Sequence, residues 1–264
     1  RMTVLLSPLI APDALDLAVS IGRGGASVVV IDTLPDTVVE HDDELTALAW
    51  RIRLLERRRE IRLVTAAGIP VVTLVTDIGQ SDRLAYVGLD NSGAGRTAAY
   101  LIARVLTAGS GQVLATRSHR DFLGEKERAD AFGETLATLR PDLQVISVQG
   151  GSGVDFATSK VLSDVVDGLD ELRAVYSMGG GNRSILRTLE DRGLRAEVFV
   201  AHDLDKENRD LIDARRLDFI LHHDLKLDLK HAFNAFLSYH RLISEQATTP
   251  ISTVQVLTPE NIPP

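Results

Sequence analysis

Cysteine is missing from all 264 residues of the chain. Without thiols, the protein can form neither a disulfide framework nor a thiolate-ligated metal centre. This absence excludes the disulfide-rich scaffolds and the cysteine zinc sites. It says nothing about the cellular compartment, since proteins of either redox environment can lack cysteine.

The chain has fewer basic than acidic residues. The chain has 29 lysines and arginines against 37 acidic residues, which gives a formal net charge of −8. A nucleic-acid-binding surface needs a basic face to neutralise phosphates. The charge balance therefore argues against direct binding of DNA or RNA by this chain.

Long apolar runs are absent too. No run approaches the roughly 20 residues that span a bilayer. The first residues read RMTVLLSPLIAPD, in which proline interrupts the apolar stretch too early for a secretory signal. We therefore expect no membrane association, and a cytoplasmic chain unless it has already been processed.

The sequence is rich in short β-branched runs that alternate with amphipathic segments. The strand candidates are MTVLLS, ASVVVIDT, IPVVTLVT, LAYVGL, GQVLATR, LQVISVQ, AVYSM, AEVFVA, LDFILH and STVQVL. This alternation is typical of βαβ units that build mostly parallel sheets. It predicts an α/β fold, and the two halves of the chain resemble two Rossmann-like lobes.

Small and glycine-rich residues suggest where the lobes divide. The segment LTAGSGQ follows residue 105 and separates the two halves. The prediction is an amino-terminal lobe over residues 1–106 and a carboxy-terminal lobe over 107–244. Residues 245–264 contain a terminal strand that must join one of the sheets, and we assign it to the first lobe.

The turn SMGGGNRS raises the question of a ligand. Gly179, Gly181 and Ser184 approximate G-x-G-x-x-G between a strand and a helix, and Asp203 follows about 20 residues on, as in a dinucleotide site. The glycines can equally supply only an unusual backbone turn, with Asn182 as the helix N-cap. From the residues alone, N-capping, contact with a small ligand and dinucleotide binding all remain open.

A second cap is predicted at the pair Asp90 and Asn91. These residues directly precede the helical pattern SGAGRTAAYLIARVL. Short polar side chains at such positions accept hydrogen bonds from the first backbone N–H groups of the helix. We interpret the pair as structural.

The sequence gives little support for a metal site or for a catalytic motif. His222, His223 and Asp224 are adjacent, but successive strand residues point to opposite faces, and no helical H-x-x-x-H spacing is present. The nucleophile elbow G-x-S-x-G is also missing, since GGSGVD lacks the required flanks. We therefore expect no metal, no cofactor and no enzymatic activity.

Several motifs in register resemble one known family. They are VTLVTDIGQSDRLAYVGLDNSGAGRTAAYLIARVL, GEKERADAF, SMGGGNRS, FVAHDLDKENRDLI, LDFILHHDL and VQVLTPENIPP. Together they resemble the effector domain of the lactose-repressor (LacI/GalR) family of bacterial transcription regulators over about residues 69–264. That family shares the type I fold of periplasmic sugar-binding proteins, which implies two lobes, three crossovers and a small ligand, commonly a sugar.

The resemblance also implies a set of ligand-binding residues. Asp77 would accept hydrogen bonds from sugar hydroxyls, and Arg128 would place its forked guanidinium on ring or hydroxyl oxygens. Asn182 and Asp203 would add polar contacts from the second lobe. His223 would take the polar position of the last ligand loop.

Three features depart from the family pattern. Ala131 replaces the glycine of the motif E-R-x-x-G-F. Residues 1–68 have one crossover fewer than expected and faintly resemble a von Willebrand A-like fragment without its metal motif, so a recombined or designed chimera is one explanation. No helix-turn-helix is recognisable, so DNA binding would require a separate module.

The resemblance implies a biological role and an assembly. The expected role is the sugar-responsive domain of a transcription regulator, and the alternatives are a transporter's periplasmic sugar-binding protein and, as a third, a dinucleotide enzyme. Members of the regulator family pair as two-fold dimers. A homodimer through positions such as Ala98, Leu101 and Ile102 is therefore expected as well.

Overall fold

The structure is a computed structural model of the chain. It describes residues 2–7, 12–25, 27–32, 62–63, 66, 69–75, 77, 83–119, 122–151, 155–243 and 251–263. By its contacts the chain divides into two compact units. Unit 1 comprises Arg1–Leu89 with Asp224–Ser252, and unit 2 comprises Asp90–His223 with Thr253–Pro264.

Strands and helices alternate along most of the described chain. The strands are β1 (Met2–Ser7), β2 (Ser27–Asp32), β3 (Val71–Leu74), β4 (Ala85–Leu89), β5 (Gly111–Arg117), β6 (Leu143–Gln149), β7 (Leu172–Ser177), β8 (Val198–His202), β9 (Phe219–His222), β10 (Ile251–Ser252) and β11 (Gln255–Leu257). The helices are α1 (Pro12–Arg23), α2 (Asn91–Val105), α3 (Leu123–Leu139), α4 (Asp155–Val166), α5 (Asn182–Glu190), α6 (Lys206–Asp213) and α7 (Leu225–Tyr239).

Unit 1 is built on a five-stranded sheet in the order β1-β2-β3-β4-β10, with every neighbouring pair parallel. A parallel strand is buried on both faces, and its successive side chains point to opposite sides. Val71 accordingly packs with Ala18 of α1, whereas Val72 packs with Phe236 of α7. The apolar run IPVV therefore serves two separate hydrophobic layers.

Unit 2 contains a six-stranded sheet in the order β11-β9-β8-β7-β5-β6. The strands are parallel except β11, which runs antiparallel to β9. On one face, strand residues such as Leu114 and Val175 join the apolar sides of α4, α5 and α6 in one core. On the other face, Phe132 of α3 contacts the ring of Tyr176 on β7.

Aspartate side chains cap the amino-terminal ends of three helices that follow strands. Asp90 accepts a hydrogen bond from the Gly93 amide at the start of α2, which confirms the predicted cap. Asp205 and Asp224 cap α6 and α7 in the same way. Each carboxylate satisfies backbone N–H groups that a helix leaves without partners and favours the positive end of its dipole.

The division of the chain differs from the predicted one. Helix α2 belongs to unit 2 because it packs along α3, and α7 belongs to unit 1 because its side chains cover β3 and β4. The carboxy-terminal segment is shared: β10 pairs with β4, whereas β11 pairs with β9. Ala98 and Ile102, two of the residues expected in a dimer interface, are fully buried within unit 2.

The predicted α/β class with two lobes of parallel sheet is confirmed. Each predicted strand segment contains a strand, and STVQVL contains parts of two. Residues 33–61, which hold much of the atypical amino-terminal segment, lie outside the described residues. Among the helices that the structure describes, none is long and apolar enough to cross a membrane.

The close crossing of α2 and α3 at Gly95 yields a stability prediction. A Cβ at Gly95 would lie 2.2 Å from the carbonyl oxygen of Arg128. Gly95→Ala should force the two helices apart and lower the free energy of unfolding by about 1–3 kcal/mol, which is the usual cost of overpacking. Urea denaturation measures the change.

Gly133→Ala is the matched control on α3, because a Cβ there would meet nothing within 4 Å. Replacing an unhindered glycine within a helix should raise stability by about 0.5–1 kcal/mol. Equal effects of the two substitutions would contradict the close packing at Gly95.

Candidate functional site

Several polar side chains of unit 2 lie at the carboxyl ends of its parallel strands. Ligands of open α/β sheets bind outside this edge, because the strand ends and the following helix starts meet there. The glycine turn follows β7, Asp203 follows β8, and His223 follows β9. Arg128 reaches this edge from α3.

The guanidinium of Arg128 is held in place on two sides. Its Nε donates to the Asn91 Oδ1 at 2.8 Å, and its Nη1 donates to the carbonyl of Met178 at 3.0 Å. The Nη2 group makes no hydrogen bond to any residue that the structure describes. Arg128 is therefore a fixed, half-buried cation that can donate further hydrogen bonds from Nη2.

The glycine turn positions Asn182 as the first residue of α5. Gly181 occupies the N-cap with φ of 70°, a left-handed conformation that favours glycine. The alternative that Asn182 caps the helix is therefore wrong. Its side chain, which is 1% exposed, donates from Nδ2 to the Asn208 Oδ1 at 2.7 Å.

Asn208 fixes which way the Asn182 amide points. The Nδ2 of Asn208 donates to the carbonyls of His202 and Asp203 at 2.8 and 2.7 Å, so its Oδ1 has to face Asn182. Asn182 must therefore donate the hydrogen bond from its own NH₂ group. Its Oδ1 is consequently a buried acceptor with no partner among the described residues.

Asp203 combines a strained backbone with an open carboxylate. Its φ is 62°, a conformation that is uncommon for residues other than glycine. Its side chain is 52% exposed, and Oδ1 lies 3.7 Å from the Nε2 of the buried His223.

A buried Tyr–His pair lies beside these groups. The Tyr176 hydroxyl and the His202 Nε2 are 2.8 Å apart, and both residues are buried. Burial lowers the pKa of the His202 imidazole well below its usual value, and the electrostatic influence of Arg128 and His223 lowers it further. Burial also raises the pKa of the Tyr176 hydroxyl, so both groups are neutral at physiological pH.

Asp77, the remaining predicted ligand residue, belongs to unit 1. Its carboxylate already has two partners: Oδ2 accepts from the Arg83 Nη2 at 2.6 Å, and Oδ1 accepts from the Thr73 hydroxyl at 3.0 Å. The side chain is only 15% exposed. Within unit 1, Asp77 therefore connects Thr73 of β3 to Arg83, two residues before β4.

The structure thus groups four of the five predicted residues in unit 2. Asn208 links Asn182 to Asp203, Asp203 lies beside His223, and Arg128 binds the Met178 carbonyl in the glycine turn. Asn208 and His202 did not figure among the predicted ligand residues. A tyrosine inside the apolar run AVYSM was the available signal for the Tyr–His pair, because a buried hydroxyl has to find a partner.

This group can bind hydroxyl-bearing molecules. It offers a cationic donor at Arg128, a neutral acceptor at Asn182 and an exposed anionic acceptor at Asp203, and such mixed sets satisfy polar ligands. Within the described part of the chain, no cluster of three or more histidine, aspartate or glutamate side chains could hold a metal ion.

Comparisons with known proteins agree with this architecture. A family model described as "Periplasmic binding protein domain" matches residues 61–228. No curated protein matches the sequence.

Similar solved structures include three that carry a functional description. The sugar-binding protein of a sugar ABC transporter from Bacillus halodurans is 20% identical, covers 99% of this chain and 98% of its own, and has a TM-score of 0.69. AraP, an arabinose binding protein from Geobacillus stearothermophilus, is 18% identical, with coverage of 99% and 97% and a TM-score of 0.67. A protein described as a LacI transcriptional regulator, from Bacteroides fragilis, is 13% identical, with coverage of 99% and 98% and a TM-score of 0.68.

Identities this low establish a shared fold and leave the ligand undetermined. The family model, in contrast, spans well over half of the sequence and includes Arg128, Asn182, Asp203 and His223. The chain therefore belongs to the family of periplasmic binding protein domains.

Proposed function

We propose that the chain is a binding domain for a sugar-like polyol and that it does not transform its ligand. The observation that carries the proposal is the unpartnered Oδ1 of Asn182, which is buried and fixed in orientation by Asn208. A buried acceptor without a partner costs free energy, so a ligand donor that reaches it is favoured.

The chemistry of the neighbouring groups suits vicinal hydroxyls. A hydroxyl both donates and accepts, so it can donate to Asn182 or Asp203 and accept from Arg128. Hydrogen bonds to the charged groups are the stronger ones. A molecule with several adjacent hydroxyl groups uses all three partners at once.

The names of similar proteins support the same ligand class. Two of the compared structures are described as sugar- or arabinose-binding proteins. We propose the corresponding role here, a solute-binding domain that delivers a sugar to a transporter, for which the location would be outside the cytoplasm.

A regulator is the second candidate. It is favoured by the motifs shared with the lactose-repressor family and by the similarity to a LacI transcriptional regulator. In that case the chain would be cytoplasmic, would reach DNA through a separate helix-turn-helix, and would form a two-fold dimer. Because Ala98 and Ile102 are buried, such a dimer would use other residues.

The absence of catalysis and of a cofactor is part of the proposal. The polar groups of unit 2 are arranged as donors and acceptors for neutral hydroxyls, and the sequence contains no nucleophile elbow. The raised pKa of Tyr176 also keeps its hydroxyl protonated, so it does not supply a phenolate nucleophile.

A calorimetric panel tests the proposed ligand class. We expect at least one monosaccharide or related polyol to bind with a micromolar dissociation constant and NAD to give no heat of binding. A panel in which NAD binds while no sugar does would favour the dinucleotide alternative, and the absence of any sugar binding would contradict the proposal.

Arg128→Ala should weaken the binding of that sugar strongly. The guanidinium is half-buried and positioned by Asn91 and Met178, so its loss should cost on the order of 2–4 kcal/mol of binding free energy. Lys126→Ala is the matched control, because Lys126 is an exposed cation on the same helix. Equal affinities of the two variants would place Arg128 outside the site.

Asn182→Ala separates binding from stability. Because Gly181 is the N-cap, the substitution removes no helix cap. It removes the hydrogen bond to Asn208, and we expect a loss of about 1–3 kcal/mol in the free energy of unfolding. Sugar affinity should fall for protein that thermal melting shows to be folded, and an unchanged affinity would remove Asn182 from the site.

The full-length gene distinguishes the two biological roles. A secretory signal upstream would favour the transporter's binding protein, and an upstream helix-turn-helix would favour the regulator. In the second case, the bound sugar should change the affinity of the full-length protein for its operator DNA.

A further inference from the structure

Tyr176 and His202 form an isolated polar pair inside unit 2. Tyr176 lies on β7 and is 0% exposed, and its hydroxyl has the His202 Nε2 as its sole hydrogen-bond partner in the described residues. The tyrosine ring itself packs on Phe132, with centroids 4.6 Å apart. Phenylalanine would fill this space equally well, so packing does not explain the hydroxyl.

The charges around the pair determine where its proton lies. Arg128 of α3 and His223 after β9 disfavour a positive imidazole, and Glu125 and Asp203 disfavour a phenolate. If Tyr176 donates to Nε2, the histidine carries its proton on Nδ1. That arrangement leaves only the buried Nδ1–H without a partner in the described residues, whereas the opposite one would leave both the tyrosine O–H and an unprotonated Nδ1 without partners, so donation by Tyr176 is favoured.

His202 is also the backbone neighbour of a strained residue. It directly precedes Asp203, whose positive φ of 62° costs free energy and persists only where its surroundings impose it. The Asp203 amide donates to the Leu221 carbonyl at 2.9 Å. The carbonyls of His202 and Asp203 both accept from Asn208.

We propose that Tyr176 and His202 are a hydrogen-bonded positioning pair that holds the strained backbone of Asp203 and thereby orients its carboxylate. The ring of His202 anchors the residue before the strained position, and Asn208 anchors the same peptide from the other side. The pair acts through Asp203 and need not touch a ligand.

Two consequences follow for the molecule. The first concerns local order: loss of the Tyr176 hydroxyl should loosen the hydrogen bond from the Asp203 amide. The second rests on the proposed function: a less constrained Asp203 should bind the sugar more weakly.

Tyr176→Phe tests the proposal, because it removes only the hydroxyl. We expect the Asp203 amide to exchange its hydrogen about tenfold faster, whereas the Phe199 amide, which donates to Asp218 from the same strand, should exchange at its original rate. The affinity for the sugar found by the panel should fall about tenfold.

Ser177→Ala is the matched control. Ser177 is adjacent on β7 and equally buried, and its hydroxyl has no partner in the described part of the chain. Removing it should leave both the exchange rate of the Asp203 amide and the sugar affinity unchanged. An effect of Ser177→Ala equal to that of Tyr176→Phe would overturn the proposal, because the change would then reflect general loosening of β7.

The exchange measurement needs no ligand, so the two proposals can fail separately. If no sugar binds but the Asp203 amide responds as expected, the proposed function fails and the positioning pair stands. If sugar binds and Tyr176→Phe changes neither readout, the positioning pair fails.

Measurements on His202 keep the proposal testable even if Tyr176→Phe does not fold. In the unmodified protein, nitrogen NMR should show a ring that is protonated on Nδ1 and that stays neutral as the pH falls below the usual histidine pKa of about 6.5. His202→Gln, which can still bond to the Tyr176 hydroxyl, should retain slow exchange at Asp203, whereas His202→Ala should lose it. A ring protonated on Nε2, or equal exchange in the two variants, would overturn the proposal.

The same pair predicts the pH dependence of stability. The pKa of His202 is lowered in the folded state, so the unfolded chain binds the extra proton first. Stability from this group is complete above the unfolded pKa of about 6.5 and falls below it, by about tenfold in the unfolding constant per pH unit. His202→Gln should lack this contribution, and an identical pH profile for both proteins would contradict a neutral, buried His202.

Discussion

The side chain of Asn208 holds the candidate site of unit 2 together. Its NH₂ group donates to two successive carbonyls at the end of β8, and its oxygen accepts from Asn182 at the start of α5. A single amide thereby connects a strained strand end to the glycine turn. The orientation of Asn182, its unpartnered oxygen and the conformation of Asp203 all depend on these three bonds.

Much of the fold could be predicted from the sequence because the signals are local. Apolar runs such as IPVVTLVT and GQVLATR predict strands, and they contain β3 and β5. The cap at Asp90 was predictable for the same reason, since the side chain and the amide it binds are three residues apart. The resemblance to the lactose-repressor family also implied five ligand residues, and four of them lie in unit 2.

Other features depend on contacts that are distant in sequence. The assignment of α2 to unit 2 rests on the close approach of Gly95 to Arg128, and no local pattern encodes that crossing. Asp77 is a different case: its partners Thr73 and Arg83 are only four and six residues away, but no residue pattern indicates that they already occupy its carboxylate. The hydrogen bond between Tyr176 and His202 joins residues 26 positions apart, so neither motif reveals it.

The interleaving of the two units along the chain has a consequence for biosynthesis. Unit 1 begins at the first residue but is completed by α7 and β10, which follow the entire Asp90–His223 block of unit 2. At about 5–20 residues per second, a ribosome needs on the order of ten seconds to make that block. During this interval the nascent β4 lacks its edge partner β10, and the apolar layer that α7 will cover stays open to solvent. We therefore expect β4 and this uncovered layer to be the part of unit 1 most prone to aggregation during synthesis.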